Sequence, residues 1–104
     1  MAIEILGYTF VGPYDSTTSL EDRSGVYAIL TPTSADRYIV IDVGESSQVR
    51  TRVETHDRKR CWQRNATPSG LRYAAYYTPR LRQAGRKAIE VKIRSEYDPP
   101  CGKE

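Results

Sequence analysis

The segment YIVIDVGES, Tyr38 to Ser46, decides how the chain is read: a run of β-branched residues is interrupted by one carboxylate, Asp42, two residues before a glycine. Val and Ile suit a pleated, half-buried surface, so Tyr38 to Gly44 is predicted as a strand that the glycine closes. A buried, unpaired carboxylate is costly, and it either loses its charge or finds a donor or cation. Asp42 therefore faces solvent or belongs to a site.

On the N-terminal side of this strand, GVYAIL (Gly25 to Leu30) is a second short apolar strand, and TPTSADR between the two is a loop suited to an antiparallel hairpin. AIEILGYTFV (Ala2 to Val11) reads as an N-terminal strand or extended arm. GPYDSTTSLEDRSG is full of turn formers, and Thr18-x-x-Glu21 or Ser19-x-x-Asp22 can cap one helical turn. On the C-terminal side, Ser46 or Ser47 caps a single helix through QVRTRVETHDRKRCWQR, with Val49 and Val53 as its apolar stripe and Arg52 and His56 one turn apart. NATPSG ends that helix, and LRYAAYYT (Leu71 to Thr78) is a third strand. PRLRQAGRKAIEVKIRSEY is a second helix, with Leu81, Ala84, Ala88, Ile89, Ile93 and Tyr97 facing inward. The expected fold class is α+β: a small three-stranded antiparallel sheet flanked by helices, with an N-terminal strand or arm and turn segment (1–24) leading into residues 25–104.

The chain has 104 residues, 38% hydrophobic and 28% charged, which suits one compact domain with a modest core. No apolar run is long enough for a membrane span, and MAIEILGYTF lacks the basic and hydrophobic regions of a signal peptide, so a cytoplasmic, membrane-free protein is expected. Without an export signal, Cys61 and Cys101 default to reduced thiols rather than a disulfide. His56, Cys61 and Cys101 offer only three zinc ligands, at spacings unlike a finger or ribbon.

A net charge of +3 conceals a strong asymmetry. Residues 1–49 hold two Arg against seven Asp and Glu, whereas residues 50–94 hold thirteen Arg and Lys against Glu54, Asp57 and Glu90. Ten of those thirteen are Arg, the side chain suited to bidentate phosphate contact, so a polyanion is the expected partner. The block HDRKRCWQRN (56–65) is its densest part, and with Arg50 it nominates Arg58, Lys59, Arg60 and Arg64 as nucleic-acid contacts. Trp62 within it reads as core before it reads as a stacking platform.

Taken in order, GVY in one strand, DVG closing the next, Arg52, then His56, then Glu90 in the last helix resemble the GIY-YIG nuclease domain. That family includes the nuclease module of bacterial excision repair, certain homing endonucleases and some restriction enzymes. The likeness spans residues 25–102, and the ending IEVKIRSEYDPPCG is similar to the family's Glu helix and Tyr-x-Pro segment. The resemblance implies hydrolysis of a nucleic-acid phosphodiester, with DNA favoured over RNA, using one hard cation, Mg²⁺ or Mn²⁺. Glu90 would be the metal carboxylate. Arg52 would bind the scissile phosphate. His56 would orient phosphate or water, or protonate the leaving oxygen. Tyr27 would position or help deprotonate the nucleophilic water. Read singly, these residues have duller accounts: Glu90 lies four residues from both Arg86 and Arg94 and can form surface pairs, and Tyr27 suits a core.

Asp42 stands where the family carries the tyrosine of its second motif. A carboxylate is already ionised at neutral pH but is an intrinsically weaker base than a phenolate, so Asp42 either takes the water's proton less forcefully or marks a site that no longer cuts. Gly102 stands where an asparagine often follows Tyr-x-Pro, and Glu45 where some members carry lysine. The rival expectation is thus a module that binds nucleic acid or a protein without cutting. A catalytic module of this size would need a protein partner, a homodimer or low specificity.

Overall fold

Five strands form one antiparallel sheet in the computed structural model, which describes residues 1–34 and 36–102. They are β1 (Ala2–Ile5), β2 (Tyr8–Tyr14), β3 (Gly25–Ser34), β4 (Arg37–Ser46) and β5 (Arg72–Tyr77), in the spatial order β1-β2-β5-β3-β4. Three helices complete the domain: α1 (Val49–Glu54), α2 (Lys59–Asn65) and α3 (Gln83–Tyr97). The class is α+β with an antiparallel sheet, as expected, but the sheet has five strands rather than three.

The two extra strands come from the segment expected to be a single strand or arm. Leu6 and Gly7 both take positive φ, 52° and 82°, the two-residue turn whose twist matches a hairpin. β1 therefore folds back on β2, and β2 pairs with β5, which buries Ile5 and Phe10. The loop expected after Leu30 is mostly strand as well: β3 continues to Ser34 and β4 begins at Arg37.

β3 is hydrogen-bonded on both sides and buried from Gly25 to Thr31, so its alternate residues feed two cores. Val26, Ala28 and Leu30 face α3, with Ile89 and Ile93 against them. Tyr27 and Ile29 face the other helices, among Val49, Val53 and Trp62. A register shift between Ile29 and Leu30 leaves Ile41 as the extra residue of β4, because Asp42 pairs with Ile29 and Val40 with Leu30. Such a bulge re-aims side chains. Ile41 and Asp42 consequently both reach the α1–α2 face, where Ile41 joins the core and Asp42 meets Trp62.

The single helix expected after Ser47 is broken between Glu54 and Lys59. Side chains satisfy the backbone there: Thr55 Oγ1 donates to the Thr51 carbonyl at 2.7 Å, and His56 Nδ1 accepts the Arg58 N–H at 3.0 Å. His56 thus sits in the break rather than one helical turn from Arg52. Neither Ser46 nor Ser47 caps α1; the Asp22 carboxylate does, accepting the Thr51 N–H at 2.9 Å and its hydroxyl at 2.8 Å. These bonds hold the Asp22 carboxyl below its ordinary range. The expected helical turn appears earlier, as a 3₁₀ turn over Thr17–Ser19 capped by Ser16.

α3 starts at Gln83, and Leu81, Ala84, Ala88 and Tyr97, expected inward, are exposed. Its inward stripe is Arg86, Ile89, Glu90 and Ile93. Charges on an inward face require partners, and those partners build the site. Cys61 and Cys101 are joined in a disulfide, which corrects the expectation of two thiols and removes both from any zinc set. Among the described residues no cluster of metal-ligating side chains occurs, and no helix is long and apolar enough to cross a membrane.

Candidate active site

β4 is an edge strand, and an edge leaves carbonyls without ladder partners. Here the C-terminal segment and α3 cover them: the Ile41 carbonyl accepts the Cys101 N–H at 3.0 Å, and the Val43 carbonyl accepts Arg94 Nη2 at 2.5 Å. Where α3 comes round this edge to meet the α1–α2 break, a polar cavity of about 340 Å³ opens. Tyr27 and Gly44 form its base, Arg52 and Arg58 one wall, and Lys87, Glu90 and Arg94 the other, with Glu45 and Gly102 at the margin.

Gly44 pairs directly with Tyr27 in the ladder, and a Cβ there would overlap the phenol ring. The glycine of DVG is therefore required for the tyrosine of GVY to lie across it. Tyr27 is 2% exposed, and its hydroxyl is 2.9 Å from His56 Nε2. Because His56 Nδ1 accepts the Arg58 N–H, the neutral ring carries its proton on Nε2 and donates it to the phenol oxygen. Burial, with Arg52 and Arg58 nearby, pushes the His56 pKa down to about 4, so the ring is neutral at pH 7. Burial raises the Tyr27 phenol to about 12. The phenol keeps its own proton to donate.

Asp42, the carboxylate of the opening segment, has no exposed surface. It accepts Trp62 Nε1 at 2.8 Å and the Val43 N–H at 2.8 Å, and it ion-pairs with Arg58 at 2.9 Å and Arg94 at 2.5 Å. It lies beneath the cavity rather than in its lining. Glu90 does line the cavity, and Lys87 at 3.3 Å and Arg94 at 3.2 Å both bond its Oε2. One guanidinium, that of Arg94, therefore joins Asp42 to Glu90. Glu45 pairs with Arg86 at 2.9 Å and accepts Gln83 at 3.3 Å.

Of the residues nominated from the sequence, Tyr27, Arg52, Arg58 and Glu90 come together in this cavity. His56 and Asp42 stand directly behind it, each bonded to a lining residue. Arg50 pairs with Glu54 at 3.2 Å, Lys59 donates to the Glu54 carbonyl, and Arg60 and Arg64 are exposed on α2. Sequence reasoning missed Lys87 and Arg94. The available signal was their spacing from Glu90, three and four residues, which reads equally well as surface pairing. No family model matches the chain, and no curated protein or solved structure matches it.

Proposed function

We propose that the chain is a nuclease-like domain that hydrolyses phosphodiester bonds of DNA with the help of Mg²⁺ or Mn²⁺. The observation that carries this reading is the meeting of Tyr27, Arg52 and Glu90 in one polar cavity where Arg52, Arg58, Lys87 and Arg94 outnumber Glu45 and Glu90. An excess of cations suits a phosphate backbone, and the resemblance to GIY-YIG nucleases supplies the reaction class and the preference for DNA. Of the two carboxylates that line the cavity, Glu90, the one the resemblance nominates, would hold a hard cation that keeps water and substrate oxygens. When bound, the cation would offset charge developing on the phosphate.

The chain's own groups bind and position. Arg52, 41% exposed at the cavity wall, binds the non-bridging oxygens and counters the negative charge of the transition state. Tyr27, its oxygen held by His56, offers its proton toward the attacking water or the phosphate and stays protonated at neutral pH. His56 fixes that phenol; it does not itself titrate as an acid near pH 7. Asp42 sets the two arginines bonded to it. The disulfide is a cross-link that persists in oxidising surroundings, which counts against the expected cytoplasmic placement.

A second reading, binding without cutting, is favoured by the two cations already on Glu90 Oε2. The two readings part in one assay. Plasmid DNA incubated with Mg²⁺ or Mn²⁺ is expected to be cleaved, and Glu90→Gln or Arg52→Ala to lose roughly 10²-fold or more in rate while melting as the parent does. Binding without cleavage under any divalent ion would hand the protein to the second reading. Absent or salt-insensitive binding would end both.

A further inference from the structure

We infer that Arg58 forms a second phosphate-binding position in the cavity, beside that of Arg52, and that the buried Asp42 is the residue that aims it. The inference rests on the nucleic-acid reading of the cavity for its ligand. Its basis is how two arginines share one carboxylate. Arg58 meets Asp42 side-on, Nε to Oδ2 at 2.9 Å and Nη2 to Oδ1 at 3.4 Å. That geometry uses one edge of the guanidinium. The end of the fork, Nη1 with the second N–H of Nη2, is not used by the carboxylate, on a residue that lines the cavity with its side chain 33% exposed. A planar fork fixed on one edge and open at its end is the form that takes a phosphate bidentately.

Arg94 is the contrasting case. Its Nε goes to Glu90, its Nη1 to the Cys101 carbonyl, and its Nη2 to both Asp42 and the Val43 carbonyl. Its bonds encircle the guanidinium, so Arg94 is scaffolding that ties α3, β4 and the C-terminal segment together. The chain makes room for it at Gly102, where a Cβ would run into the guanidinium. Arg94, Trp62 and the Val43 N–H already satisfy Asp42. Arg58 is thus a cation beyond what the carboxylate needs, and the surplus charge lies beside the cavity. Asp42 thus holds both arginines, and Gly102 admits one of them, Arg94.

The test compares two probes by NMR titration at low salt without divalent ion: a dinucleotide with one phosphodiester and a trinucleotide with two. The wild-type chain is expected to bind the trinucleotide roughly tenfold more tightly, the scale of one charge-assisted bidentate contact. Arg58→Ala should erase that gain, weakening the trinucleotide several-fold more than the dinucleotide, whereas Arg52→Ala weakens both probes alike. Arg58→Lys keeps the charge but loses the side-on pairing, so it should recover less than half of the gain; full recovery would overturn the role given to Asp42. Asp42→Asn, if its melting shows a folded chain, should behave as Arg58→Ala does. Equal losses on both probes for Arg58→Ala would sink the second position and leave the nuclease reading standing. A wild-type gain that Arg58→Ala erases, without any metal-dependent cleavage, would do the reverse, and wild-type chain that binds neither probe overturns both.

Discussion

On the α3 face, Phe10, Val26, Ala28, Leu30, Ala74 and Ile93 pack side chain to side chain, and the buried charges of α3, Arg86 and Glu90, lie where it passes the β4 edge. On the opposite face the sheet buries Tyr27, His56, Asp42 and Trp62, and every one of them holds another polar group of the set or its flanking backbone. One core is dry and the other is wired. A dry core stabilises through area and close packing and tolerates changes that conserve volume. A wired core adds little net stability per bond but punishes each broken one, because the partner left behind is buried. Placing the cavity beside the wired face lets the same bonds that hold the core also fix the side chains that line the cavity.

The largest effect expected from this division lies on the dry side. Phe10 is fully buried, and Phe10→Ala should cost about 3–5 kcal/mol in chemical denaturation. Its trinucleotide-to-dinucleotide ratio, measured on the folded fraction, should match that of the parent. A change in that ratio would mean the two faces are not separate in function.

On the wired side the decisive variable is pH. His56 has its pKa depressed from 6.5 to about 4. The unfolded chain therefore takes up the proton first as pH falls. The stability due to the neutral ring is fully present above about pH 6.5 and is lost on descending through pH 4. Integrated over that window the loss approaches about 3 kcal/mol. His56→Gln, melted at pH 7 and at pH 4.5, should show a smaller difference between the two conditions than the parent chain. An identical difference would remove His56 from the wired core's titration and free it for another role.

How much of this was legible in advance follows the same division. β3, β4 and β5 announce themselves because β-branched and aromatic runs bounded by turn formers carry the period of a sheet. The hairpin of β1 and β2 does not, since Leu6-Gly7 lacks the Asn-Gly signal and a leucine is seldom found at positive φ. The break between α1 and α2 depends on bonds from Thr55 and His56 that spacing alone does not reveal. Tyr27, Arg52 and Glu90 could be nominated because their order resembles a family's. The place of Asp42 beneath two arginines could not, because it depends on a bulge at Ile41 that turns two consecutive side chains to one face. Arg94 was visible only as a residue four positions after Glu90, a spacing that surface pairs and buried scaffolds share.

The finest cut falls within the three residues from Arg58 to Arg60, at the start of α2. Arg58 is anchored on a buried carboxylate, whereas Arg60 is exposed on the helix beyond it. Both would count equally in any tally of basic residues. Arg60→Ala should change stability by less than about 0.5 kcal/mol, as surface substitutions do. If α2 touches the nucleic-acid backbone, it should weaken binding of a long DNA duplex evenly across sequences and flatten the dependence of log K on log salt by about 0.9. It should leave the trinucleotide gain intact, because an unanchored side chain outside the cavity has no fixed fork to offer a second phosphate. A salt titration on both variants separates them: loss of the trinucleotide gain in Arg60→Ala would show that charge density alone, and not the aim set by Asp42, determines how this cavity holds its ligand.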